Sequence, residues 1–132
     1  MQCRLGRSTP ICDLPASCRD TGWISASYNT YLNKVIIVAS MYDEPGKAYV
    51  NAYITTTANG YSNLEPWTEL FNEAYENLYI NIVGDGSDPL YTDDTFYLYY
   101  TRFHLATLPP NYGWERWNDA SIERRQITVI PG

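Results

Sequence analysis

Residues 34–57, KVIIVASMYDEPGKAYVNAYITTT, decide the fold class. Lys34 to Met41 is β-branched and apolar at consecutive positions, the pattern of a strand covered on both faces. Asp43-Glu44-Pro45-Gly46 follows. Pro45 supplies the fixed φ that the second position of a turn wants, and Gly46 accepts a positive φ at the third. Ala48 to Thr57 then alternates, with Val50, Ala52 and Ile54 on one face and Tyr49, Asn51 and Tyr53 on the other. The stretch predicts a β-hairpin.

Upstream, Trp23 to Tyr31 reads as a strand carrying Ile24, Ala26 and Tyr28 on one face. Residues 1–22 have no periodicity and contain Pro10, Pro15, Gly6 and Gly22, which predicts an extended arm. Downstream, Asn59-Gly60 ends the hairpin. Ser62-x-x-Glu65 matches a capping box, and Pro66 falls where a first helical turn tolerates it. Trp67, Leu70, Phe71, Ala74 and Leu78 recur at helical spacing, with Glu69, Glu73 and Glu76 opposite them. This predicts an amphipathic helix of about three to four turns.

Tyr79 to Val83 reads as a strand and Gly84 to Asp94 as an acidic loop. Thr95 to Ala106 is a long aromatic strand, with Phe96, Leu98 and Tyr100 on one face and Tyr97 and Tyr99 on the other. Parity puts Arg102 and His104 on the Phe96 face, so a bulge or face switch is expected there. Asn111 to Glu123 reads as a loop, and Gln126 to Ile130 as a closing strand. The expected architecture is α+β in the order β-β-β-α-β-β-β: a mainly antiparallel sheet, open or rolled into a partial barrel, with one helix over a face. One domain, 23–132, follows the arm 1–22.

The 132-residue chain has a net charge of −6. Between Glu65 and Asp94 lie eight carboxylates and no Lys or Arg, whereas Arg4, Arg7, Arg19, Arg116, Arg124 and Arg125 lie towards the ends. An acidic middle argues against a nucleic-acid partner and allows a basic protein surface, a divalent cation or the basic ends of another copy. No apolar run reaches the roughly 20 residues of a membrane helix. Met1 to Pro10 lacks an apolar signal-peptide core, which fits a cytoplasmic or virion protein and equally a mature secreted chain. Cys3, Cys12 and Cys18 form an odd set without a C-x-x-C pair, leaving one local disulfide or three thiols as the alternatives.

Catalytic chemistry finds little purchase. His104 is the single histidine, and no nucleophile motif accompanies it. Gly84-Asp-Gly86 is too short and too acidic to cradle phosphate. Asp85, Asp88, Asp93 and Asp94 offer oxygen ligands for Ca²⁺ at spacings unlike an EF-hand, so no metal or cofactor is expected. Tyr112, Trp114, Arg116 and Trp117 combine the residue types that dominate binding hot spots.

Cys3-Arg4, Ala52-Tyr53 and Gly86-Ser-Asp-Pro-Leu-Tyr91 resemble, in order, short motifs of the small cysteine-rich killer toxins of fungi. That resemblance implies a secreted, disulfide-stapled α/β sandwich. The cysteines of the family's central motif are missing, with Ile80 to Asp85 in their place, and the chain is not assigned to it. The residues themselves predict a non-enzymatic, oligomeric assembly protein, such as a subunit of a virion or phage tail. It would grip its neighbours through the arm, through Tyr112, Trp114, Arg116 and Trp117, and through Arg124 and Arg125. The alternative is a secreted module or effector that recognises a host protein or sugar through the Trp114–Trp117 loop.

Overall fold

A computed structural model describes residues 21–42, 50–58, 64–71, 73, 75–103 and 120–130. They form eight strands: β1 (Thr21–Asn29), β2 (Lys34–Tyr42), β3 (Val50–Thr56), β4 (Thr68–Phe71), β5 (Glu76–Gly84), β6 (Tyr91–Thr92), β7 (Thr95–Phe103) and β8 (Ala120–Thr128). The sheet order is β6-β1-β2-β3-β5-β7-β8, with β4 on β3. Two antiparallel runs, β1-β2-β3 and β5-β7-β8, are joined by a single parallel pair, Val50 with Glu76. β1 in turn lies against β5. There the Ile82 N–H donates to Ser25 Oγ at 3.0 Å, and the Trp23 and Tyr79 rings pack with centres 4.2 Å apart and planes tilted by 59°. The sheet thus curls into a half-barrel.

The predicted hairpin is present as β2 and β3, in register from Ile36↔Thr56 to Tyr42↔Val50. Alternate residues fill the concave side: Ile36, Val38, Ala52, Phe71, Ile80, Ile82, Phe96, Leu98 and Tyr100 make one buried cluster. β2 is covered on its other face as well, where Ala39 and Met41 pack with Tyr53 and Trp67. That double coverage is why its sequence is apolar at consecutive positions. Tyr53, on the face opposite Ala52 and Ile54, is buried as well, and its hydroxyl donates to Glu69 at 3.1 Å.

The amphipathic helix does not form, and the α+β expectation is corrected: the described residues are all strand and turn. Thr68–Phe71 is β4 and Glu76–Gly84 is β5. The physical reason lies in the charges. As a helix this segment would hold Glu65, Glu69 and Glu73 four residues apart with no basic partner between them. The observed strands and the turn between them place three of the carboxylates: Glu69 accepts from Tyr53, Glu73 meets Arg102 and Arg125, and Glu76 is buried.

The irregularity expected in β7 lies in its neighbour. β7 pairs with β8 without a register shift from Thr95↔Thr128 to Phe103↔Ala120. β5 instead shifts register between Leu78 and Asn81, where Tyr79 adopts φ 57°. Arg102 therefore stays on the core face of β7, while Phe103 is buried on the opposite face with Leu78. β8 begins at Ala120, so residues 120–123, expected in a loop, belong to the sheet. Of the arm expected at 1–22, Thr21 and Gly22 belong to β1; residues 1–20 with their three cysteines, and His104, lie outside the described residues.

Candidate functional site

Among the described residues the half-barrel does not close. β4 and the far end of β8 flank an opening, and there Leu32, Ile36, Ile54, Leu70, Ile127 and Val129 line an apolar groove of about 420 Å³. Thr55, Thr56, Thr68 and Thr128 also border it, and Glu65 stands exposed on the β4 side. Ile130 lines the same groove while 83% exposed. Clefts of this size with apolar walls and few polar groups are typical binding sites.

Beyond the groove, the seam is held by charge. Arg125, on the core-facing side of β8, donates to Glu73 Oε1 at 2.5 Å, and Arg102 donates to Glu73 Oε2. The Arg125 guanidinium lies 4.0 Å from the centre of the Phe71 ring, and that of Arg102 lies 4.6 Å from the centre of the Tyr75 ring. Arg102 Nε also donates to Asn77 Oδ1 at 3.3 Å, and the Glu73 N–H donates to Asn51 Oδ1 at 3.3 Å. Burial by itself lowers the Arg125 pKa. The Glu73 hydrogen bond and the negative charge that Tyr100 and Glu73 can carry more than offset this, and the pKa ends up raised. Arg125 thus keeps its charge throughout the range in which the protein would work. One carboxylate holding two arginines ties β8 and β7 to the segment after β4.

The expected site residues separate. Arg124 and Arg125 are adjacent, so they face opposite sides of β8. Arg125 is committed to the seam. Arg124 is exposed on the outer face, 5.0 Å from the centre of the Tyr97 ring, with no carboxylate partner among the described residues. Tyr112, Trp114, Arg116 and Trp117 lie outside the described residues. Glu73, which holds the seam, is expected from the sequence on the helix side opposite Trp67, Leu70 and Phe71. The signal that could have found it is the carboxylate run 65–76, whose lack of basic neighbours in sequence demands partners from elsewhere.

The acidic loop does structural work. Asp85, Asp88 and Asp93 border a second cavity of about 320 Å³. Asp88 Oδ1 accepts the Leu90 N–H, two residues on, as turn-forming aspartates do, and Asp93 Oδ1 accepts the neighbouring Asp94 N–H, both at 3.0 Å. Among the described residues no three His, Cys, Asp or Glu side chains are grouped so as to hold a metal ion. The buried amide of Asn29 pins the loop, donating to Thr92 Oγ1 at 3.1 Å and to the Asp93 carbonyl at 2.6 Å.

Comparison with protein-family models, with curated proteins and with solved structures finds no match for this chain.

Proposed function

We propose that this chain is a non-enzymatic binding protein whose partner is another polypeptide, engaged along the open seam of the half-barrel. The observation that carries the reading is the apolar groove between β4 and β8, with Ile130 at its rim 83% exposed. Lone surface hydrophobics are ordinary, but an apolar cleft beside an open sheet edge matches a recurring way of binding extended peptide. The charge pattern supports a narrower part for electrostatics than the sequence suggested. Arg125 meets the acidic middle within the chain, which leaves Arg124 as the outward cation of the pair.

The test is selection of a random peptide library, displayed on phage, against the immobilised full chain. Extended sequences of alternating apolar residues are expected to be enriched. Ile130→Asp changes an exposed side chain and should leave the fold intact while abolishing the enrichment. No enrichment by the unaltered chain would remove the proposed function.

A further inference from the structure

β8 pairs with β7 alone among the described residues, so its second edge faces the seam. The phase of that edge follows from one bond. The Val129 N–H donates to the Asp94 carbonyl at 2.7 Å, one step beyond the Thr95↔Thr128 pair. In an antiparallel ladder, bonded and non-bonded pairs alternate. Ser121, Glu123, Arg125 and Ile127 therefore direct their N–H and C=O groups to β7. Ile122, Arg124, Gln126 and Thr128 direct theirs away from it. The side chains of that second set are all exposed, Ile122 at 83%. Ile127 and Val129, of opposite parity, lean against the core and line the groove.

We infer, resting on the polypeptide-binding reading above, that the partner adds an antiparallel strand to β8 with an acidic side chain opposite Arg124 and apolar side chains over the groove. Residues opposite one another in a ladder share a face, so the residue facing Arg124 lies on the outer surface beside a guanidinium that has no carboxylate partner among the described residues. An opposite charge is favoured there. Ile127 and Val129 lie three and five residues beyond Arg124 on the inner face. In an antiparallel partner the apolar residues accordingly precede the acidic one by three and five positions. Backbone bonding to an open edge supplies affinity, and the alternating side chains supply selectivity.

The probe is a short end-capped peptide, rich in threonine, with two valines and one aspartate at that spacing. Its binding to the full chain is followed by fluorescence anisotropy. Replacing the aspartate by lysine is expected to weaken binding about tenfold, and Arg124→Glu to reverse the preference. Methylating the aspartate's own amide nitrogen, which faces β8, is expected to weaken binding by about tenfold or more, because it deletes a ladder bond. Methylating the next amide, which faces away, leaves binding unchanged. The methylated peptides leave the protein untouched, so misfolding cannot imitate either result. Equal binding of the aspartate and lysine peptides, or equal loss from both methylations, overturns the inference. So does a stable dimer of the unliganded chain paired through β8, which would assign the seam to a second copy. If these peptides fail while the library yields other binders, the strand-addition mode falls and the polypeptide-binding reading stands. If the library also yields none, both fall.

Discussion

Glu73 shows how far one side chain can depart from its sequence context. It lies in a run of glutamates that suggests a solvated surface, yet it joins β7 and β8 to the segment after β4 through Arg102 and Arg125. Glu73→Gln keeps the shape and removes the charge. It is expected to destabilise the fold by about 1–2 kcal/mol, allowing for partial exposure, as read from chemical denaturation. A solvated helical glutamate would give no loss. Gly84 is a second such residue. A Cβ there would sit 1.8 Å from the Tyr91 carbonyl oxygen, so Gly84→Ala must displace the segment carrying β6. The expected loss is about 1–3 kcal/mol. Asn29→Asp, nearly isosteric, replaces a donating amide by a carboxylate facing the Asp93 carbonyl, and should cost about 1–3 kcal/mol as well. Unchanged melting temperatures for Gly84→Ala and Asn29→Asp would contradict the described packing of the 84–93 loop. The partners of Glu73 and Asn29 were not legible in the sequence, because those contacts join positions far apart in the chain, and the Gly84 contact depends on how the 84–91 loop folds back.

Among the elements, legibility followed the source of the pattern. β2 and β3 were readable because their β-branched runs are imposed by burial on both faces of β2, and a turn sequence lies between them. β7 was readable from strict alternation, and its parity correctly put Arg102 beside Phe96, Leu98 and Tyr100. The polar end of that face needed no bulge, since Glu73 and Asn77 satisfy the guanidinium in place. Residues 67–78 failed because Trp67, Leu70, Phe71 and Leu78 fit a helical period while burying themselves from two separate strands. Phe71 packs in the main core, Trp67 on Ala39 and Met41, and Leu78 with Phe103. Periodicity over so short a run cannot separate these cases; tertiary partners decide. The strand assignment predicts large three-bond amide-to-α-proton couplings across Thr68–Phe71. Small couplings with strong sequential amide contacts would restore the helix.

For the whole molecule, the separation of basic ends from an acidic middle is partly consumed in folding, since Arg125 closes on Glu73. Partner binding should then depend only modestly on salt. Raising ionic strength from about 0.15 M to about 1 M shortens the screening length from roughly 8 Å to roughly 3 Å and weakens the single Arg124 contact. A loss of a few-fold is expected, not the collapse that an interface built on several exposed charge pairs would show. The candidate site was legible only in part. Arg124 and Arg125 were singled out as a pair, but the groove exists only because β4 and β8, from distant parts of the chain, flank an opening.

The central claim is that the edge of β8 turned away from β7, unpaired among the described residues, is where a partner strand binds. Residue-resolved amide hydrogen exchange measures this directly. In the free chain, the amides of Glu123, Arg125 and Ile127 should exchange slowly, because they bond to β7, while those of Arg124, Gln126 and Thr128 exchange fast. Saturation with the valine–aspartate peptide should slow the second set and leave the first unchanged. Uniform protection along β8 in the free monomer, or no slowing at Arg124, Gln126 and Thr128 once the peptide is bound, would contradict it.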